Sequence, residues 1–290
     1  MPFGLSTHLF HGERLARRHF ETIAAHGFRR VELFATRTHF DYHDAAEVDR
    51  VGTWVSEFGL AAGSMHAPIN ASFVHGEWGR AYSNAAVQAV RRQEAIDETR
   101  VAMTAARTLG CESVVVHLGL SREQPVPVGD NDAGAVRRSL EQLAEISAET
   151  GVRLALEIIP NDLSTPDALL EWLDGDLELG DVGVCLDFGH AHLLGGVPEA
   201  VEALAGHVIT THVHDNAGTE DDHLVPFAGT IDWPATLAAV WKIGYGGALV
   251  FEVADHGDAA GVLERTVGAR RRLQAILDEL SAPFEFSEAD

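Results

Sequence analysis

Eight short apolar runs rich in β-branched residues alternate with longer stretches of helical periodicity along this 290-residue chain, and that alternation permits few folds. The runs are Phe3 to Ser6, Arg30 to Phe34, Ala61 to Met65, Ser113 to Val116, Arg153 to Leu156, Val182 to Leu186, Val208 to Val213 and Gly247 to Val253. Between them lie helical patterns such as Glu13 to His26, Ala46 to Phe58, Ala85 to Leu109, Ala133 to Thr150 and Ala260 to Leu280. Repeated strand-helix units imply a parallel sheet, because consecutive parallel strands need a long crossover between them. Eight such units within roughly 250 residues suit an α/β chain closed into a single (β/α)8 TIM barrel. We expect one domain over residues 1 to 280 and an acidic C-terminal tail over 281 to 290.

The punctuation has the polarity of a barrel. Gly27, Gly59, Gly110, Gly151 and Gly244 each follow a helical stretch and precede a strand, where a left-handed C-cap is easiest for glycine. The longer connections instead follow strands, at about residues 66 to 84, 118 to 131 and 214 to 233. In this architecture the long loops after strands build the active site.

Six of the runs finish on or beside a residue able to bind a divalent metal: His66, His117, Glu157, Asp187, His212 and Glu252. Any one of them alone reads as a cap, a core histidine or an ion-pair partner. Together they read differently, because carboxylates in runs as apolar as LALEII (Glu157) and ALVFEV (Glu252) are costly to bury without a compensating cation or proton. The loops add donors. In CLDFGH, Asp187 and His190 are three residues apart, close enough for one turn to present both. In THVHDNAG, His212 and His214 share a strand face while Asp215 begins the loop, and TEDDHL then offers Asp221 and His223.

Composition excludes several alternatives. A net charge of -23 repels phosphate backbones, and no Lys/Arg run is long enough to form a basic groove, so nucleic acid is not the expected partner. The only lysine, Lys242, sits in a helical stretch far from any strand end, which leaves Schiff-base chemistry without an amine. Cys111 and Cys185 read as small buried apolar residues. No stretch approaches the roughly 20 apolar residues of a membrane span, and the N-terminus lacks a signal-peptide core. A soluble, cytoplasmic protein is expected, and a homo-oligomer is compatible with it.

The ordered motifs from SMHAP to FEVAD resemble the xylose isomerase-like barrels, which include sugar and sugar-phosphate isomerases and epimerases together with endonuclease IV. The resemblance implies that Glu157, Asp187, His212 and Glu252 form the quartet that holds one divalent metal in the ketose epimerases and isomerases. It equally implies the additional ligands of a three-zinc cluster of the endonuclease IV type, mapped onto His66, His117, His190, Asp221 and His223. The quartet leads us to expect one ion; the epimerases tend to carry Arg where His223 stands, and because this chain departs from that pattern, up to three can be housed.

On this resemblance the chain is a metal-dependent sugar or sugar-phosphate isomerase/epimerase. It would abstract a proton next to a carbonyl through a metal-stabilised enediolate, with a multi-zinc phosphoesterase of the endonuclease IV type as the alternative. Glu157 and Glu252 would serve as the acid/base pair, and His190 would hydrogen-bond a substrate oxygen. Mixed oxygen and imidazole ligation suits Mn, Zn, Co or Fe(II). Phe34, Trp78 and Phe227 are candidates for an apolar wall against a sugar, and His214 for a substrate contact.

Overall fold

The computed structural model describes residues 1–122 and 126–282. From residue 283 on, the expected acidic tail lies outside the described residues. In chain order the strands are β1 (Phe3–Ser6), β2 (Arg30–Phe34), β3 (Ala61–His66), β4 (Phe73–Val74), β5 (Glu77–Trp78), β6 (Ser113–Val116), β7 (Arg153–Glu157), β8 (Val182–Asp187), β9 (Val208–Val213) and β10 (Leu249–Phe251). The helices are α1 (Arg17–Ala25), α2 (Ala45–Glu57), α3 (Ala89–Leu109), α4 (Ala133–Thr150), α5 (Pro166–Leu173), α6 (Phe188–Leu193), α7 (Val197–Ala203), α8 (Trp233–Lys242) and α9 (Ala259–Ser281).

Eight of these strands close a parallel barrel in the order β1-β10-β9-β8-β7-β6-β3-β2. Successive strand residues point to opposite faces, and the sequence obeys that period. Val114 and Val116, Leu154 and Leu156, and Val184 and Leu186 belong to the large core packed under the helices. Val115, Ala155 and Cys185 form a second, separate cluster with Ile209, the lumen of the barrel. Two residues beyond Ala155 and Cys185, on the same inward face, come Glu157 and Asp187. Small lumen residues below thus leave room for charged ones above.

The helix ends follow local chemistry. Asp132 accepts from the Ala135 N–H to cap α4, and Asp232 does the same for Ala235 at α8. All five punctuating glycines have positive φ, from 63° at Gly59 to 80° at Gly27. Two expected helices begin later than periodicity suggested: α1 opens at Arg17 and α3 at Ala89. Residues 13–16 instead form a bend and an irregular segment in which the Leu15 N–H donates to the His39 carbonyl, and residues 85–88 belong to the long connection after β3. That connection carries the antiparallel β4-β5 hairpin, which pairs Phe73 with Trp78 over the barrel mouth.

Candidate active site

Barrel closure brings the strand-end donors to one place. Glu157, Asp187, His212 and Glu252 each offer an atom within 4.8 Å of the others. His212 is the hub. Its Nδ1 lies 2.7 Å from Glu157, 3.1 Å from Glu252 and 3.7 Å from Asp187. Two further groups adjoin this quartet. His66 and His117 meet Glu157 through their Nε2 atoms, at 3.1 and 2.8 Å. His190, His214, Asp221 and His223 converge on the other side.

Local structure fixes each ring. Asp187 ends β8 and caps α6, accepting from the His190 N–H at 2.7 Å, so the Asp-x-x-His spacing aims both side chains at one point. His190 Nδ1 then meets the Ile158 carbonyl at 2.8 Å and its Nε2 meets Asp221 at 2.9 Å. His223 sits at φ 45°, a left-handed conformation uncommon for residues other than glycine. There its Nδ1 meets the Glu252 carbonyl at 2.8 Å and its Nε2 faces Asp221 at 3.2 Å. Gly189 is required by the same packing, since a Cβ there would lie 1.9 Å from the His214 ring.

The carboxylates stay ionised because imidazoles surround them. Burial works against the charge of Glu157, but His212 and His117 outweigh it and hold the carboxyl well below its ordinary range. Burial likewise opposes Asp187, which His190 and His214 bring down to about 2. In return, and again against burial, Asp221 lifts His223 to about 10, and Glu157 lifts His66 to about 8. The donor set fits a divalent cation: deprotonated oxygens and imidazole nitrogens at the right mutual distance, with a charge deficit that one or more cations would balance compactly.

Above this centre opens a cavity of about 280 Å³. Glu157 and Glu252 line it, as do His66, His117, His190 and His223. Phe34 and Trp78 form part of its wall, with Trp78 stacked on His11 at 5.0 Å. Phe227 packs on Trp233 at 5.7 Å and is absent from the lining. His214 also differs from expectation. It is fully buried, stacked under His223 at 4.0 Å with Nε2 3.0 Å from Asp187, and it does not line the cavity. His190 lines the cavity, but both ring nitrogens are engaged, so donating to a substrate would mean releasing Asp221.

Sequence reasoning missed three participants. Glu32 on β2 is fully buried with His212 Nε2 3.0 Å away. His8 and His11, on and beside a 3-10 turn (Thr7–Phe10), line the cavity. Glu32 carried a readable signal, since RVELF has the same buried-carboxylate signature as LALEII.

A closed parallel barrel with an acid-imidazole centre at the C-terminal mouth of its strands defines the class. Residues 20–277 match the model of the xylose isomerase-like TIM barrel, and the chain belongs to that family. An uncharacterised protein of Methanocaldococcus jannaschii is 29% identical over 280 residues, covering 89% of this chain and 86% of its own. The inosose isomerase of Bacillus subtilis is 27% identical over 161 residues, 52% of this chain and 57% of that protein. The solved structure of a D-tagatose 3-epimerase-like protein is similar at a TM-score of 0.80 and 26% identity, covering 97% of this chain and all of the other. Among the described residues no helix is long and apolar enough to cross a membrane.

Proposed function

We propose that this protein is a divalent-metal-dependent isomerase or epimerase of a sugar or closely related polyhydroxylated ketone. The observation that carries the reading is the quartet Glu157, Asp187, His212 and Glu252, gathered within 4.8 Å at the floor of a cavity that two of its carboxylates line. These four residues would hold the cation. When bound, it supplies Lewis-acid polarisation of a carbonyl oxygen. Glu157 and Glu252 then act as the proton-transferring pair: one carboxylate takes the proton from the carbon next to the carbonyl, and the other carboxyl returns one. Phe34 and Trp78 limit water at the reacting carbon. The similarity to an inosose isomerase and to a D-tagatose 3-epimerase-like protein supports the same chemistry.

The test is proton exchange. With Mn²⁺ or Zn²⁺ supplied, a panel of ketohexoses, their phosphates and inososes in heavy water should include a substrate that gains deuterium next to its carbonyl, followed by NMR. Treatment with a chelator should abolish the exchange, and added metal should restore it. Exchange that persists at full rate in rigorously metal-free protein would overturn the metal dependence.

A second reading, a multi-zinc phosphoesterase of the endonuclease IV type, is favoured by one observation. His66, His117 and Glu157, and separately His190, His214, Asp221 and His223, converge as tightly as the quartet does. Against a DNA substrate, no Lys or Arg is among the described residues lining the cavity. The arginines of the surrounding loops are also spent on carboxylates: Arg37 on Asp41, Arg80 on Glu94 and Arg122 on Asp162. His223→Asn separates the readings, because Asn tolerates the left-handed backbone while removing a ligand of the outer group. We expect a loss of about tenfold or less in kcat/KM, against roughly 10²- to 10⁴-fold if the outer ions carry the chemistry. Cleavage of an abasic-site oligonucleotide with no carbon-bound exchange on any ketose would decide for the second reading.

A further inference from the structure

Among the imidazoles gathered at the centre, three share one orientation and His212 takes the opposite one. His66, His190 and His223 each place Nδ1 2.8 Å from a backbone carbonyl, of Ala67, Ile158 and Glu252. A carbonyl only accepts, so a neutral ring there keeps its proton on Nδ1 and presents the Nε2 lone pair. His212 is reversed. Its Nδ1 faces Glu157, Asp187 and Glu252, while Nε2 lies 3.0 and 3.1 Å from the two oxygens of Glu32. Glu32 is fully buried, and Ser64 on β3 donates to its Oε2 at 2.7 Å. The acid reaches His212 across the lumen, from β2 to β9.

We propose that Glu32 is a positioning residue for the metal centre. It holds the proton of His212 on Nε2, so that the Nδ1 lone pair is committed to the ion shared by Glu157, Asp187 and Glu252. A carboxylate does this more strongly than a carbonyl, because its charge also raises the donor strength of the opposite nitrogen. His212 thereby becomes the strongest imidazole donor of the set, and the quartet the tightest ion position. Ser64 steers the carboxylate in turn. This inference rests on the metal-dependent reading proposed above.

The test is Glu32→Gln with Zn²⁺ and Mn²⁺ binding measured by titration calorimetry. Gln keeps the shape and can still pair with Ser64, but it removes the charge. We expect the tightest ion to bind roughly 10- to 100-fold more weakly, while the melting temperature of the metal-free protein stays near wild type. Nitrogen-15 spectra of the zinc-loaded wild type should show His212 protonated at Nε2, opposite to His66, His190 and His223. Wild-type affinity in Glu32→Gln, or a proton on Nδ1 of His212, overturns the proposal and leaves the metal-dependent reading standing. A wild-type protein that takes up neither metal overturns both. Should Glu32→Gln fail to fold, Ser64→Ala carries the test: a weakening of roughly threefold supports the steering role, and unchanged affinity overturns it.

Discussion

Glu252→Gln lowers turnover by roughly 10²- to 10⁴-fold, the contribution of a positioned acid or base, while leaving the fold intact. The substitution conserves volume at a site only 3% exposed, and the backbone carbonyl that anchors His223 is untouched. What is lost is specific. Oε2 of Glu252 stands 3.1 Å from His212 Nδ1 and 3.9 Å from His223 Nδ1, so the carboxylate serves the quartet and faces the cavity at once. An amide there neither takes a proton from carbon nor supplies a full ligand charge. Rates of deuterium incorporation at saturating metal separate the two losses: a rate recovered by excess Mn²⁺ reports a ligand defect, and a rate that stays low reports the missing base. Full activity in this variant would exclude both the isomerase and the phosphoesterase reading.

The architecture was readable because a parallel barrel writes its two periods plainly. The limits Phe3–Ser6, Arg30–Phe34, Ser113–Val116 and Val208–Val213 coincide with the apolar runs, and every glycine singled out for a left-handed cap adopts one. The donors at Glu157 and Glu252 were visible for a physical reason: a carboxylate inside a β-branched run has nowhere inexpensive to go except the barrel mouth. The same argument applied to Glu32, yet a reading confined to strand ends passes over it. Its meaning depends on His212, 180 residues away in sequence, which no local pattern reports. His8 and His11 were hidden in the same way, by a short 3-10 turn without helical periodicity, and the β4-β5 hairpin by strands of two residues each. The reversal of His212 relative to the other rings depends on ring rotation, and periodicity carries no information about that.

Asp215 shows how a residue that reads as the start of a loop can hold the site together. It is fully buried, and its two oxygens accept from the N–H groups of Asn216 at 2.9 Å, Phe227 at 2.8 Å and Ile231 at 3.2 Å, and from the indole Nε1 of Trp233 at 3.0 Å. Its backbone pairs with Leu224 in both directions at 2.8 Å, closing the loop that displays Asp221 and His223. Asp215→Ala strands several of these donors away from water, each at roughly 1–3 kcal/mol before any relaxation. We expect a net destabilisation of about 3–5 kcal/mol, lowering the melting temperature by roughly 10 °C. Asp215→Asn keeps one acceptor oxygen and should lose about half as much. Because the loop carries Asp221 and His223 but none of the quartet, the alanine variant should first lose any ion bound by the outer group while the Glu157, Asp187, His212 and Glu252 position still fills. Thermal melts paired with metal analysis of each variant check this order. Simultaneous loss of every ion, or a melting temperature unchanged from wild type, would show that the loop is held by something other than Asp215.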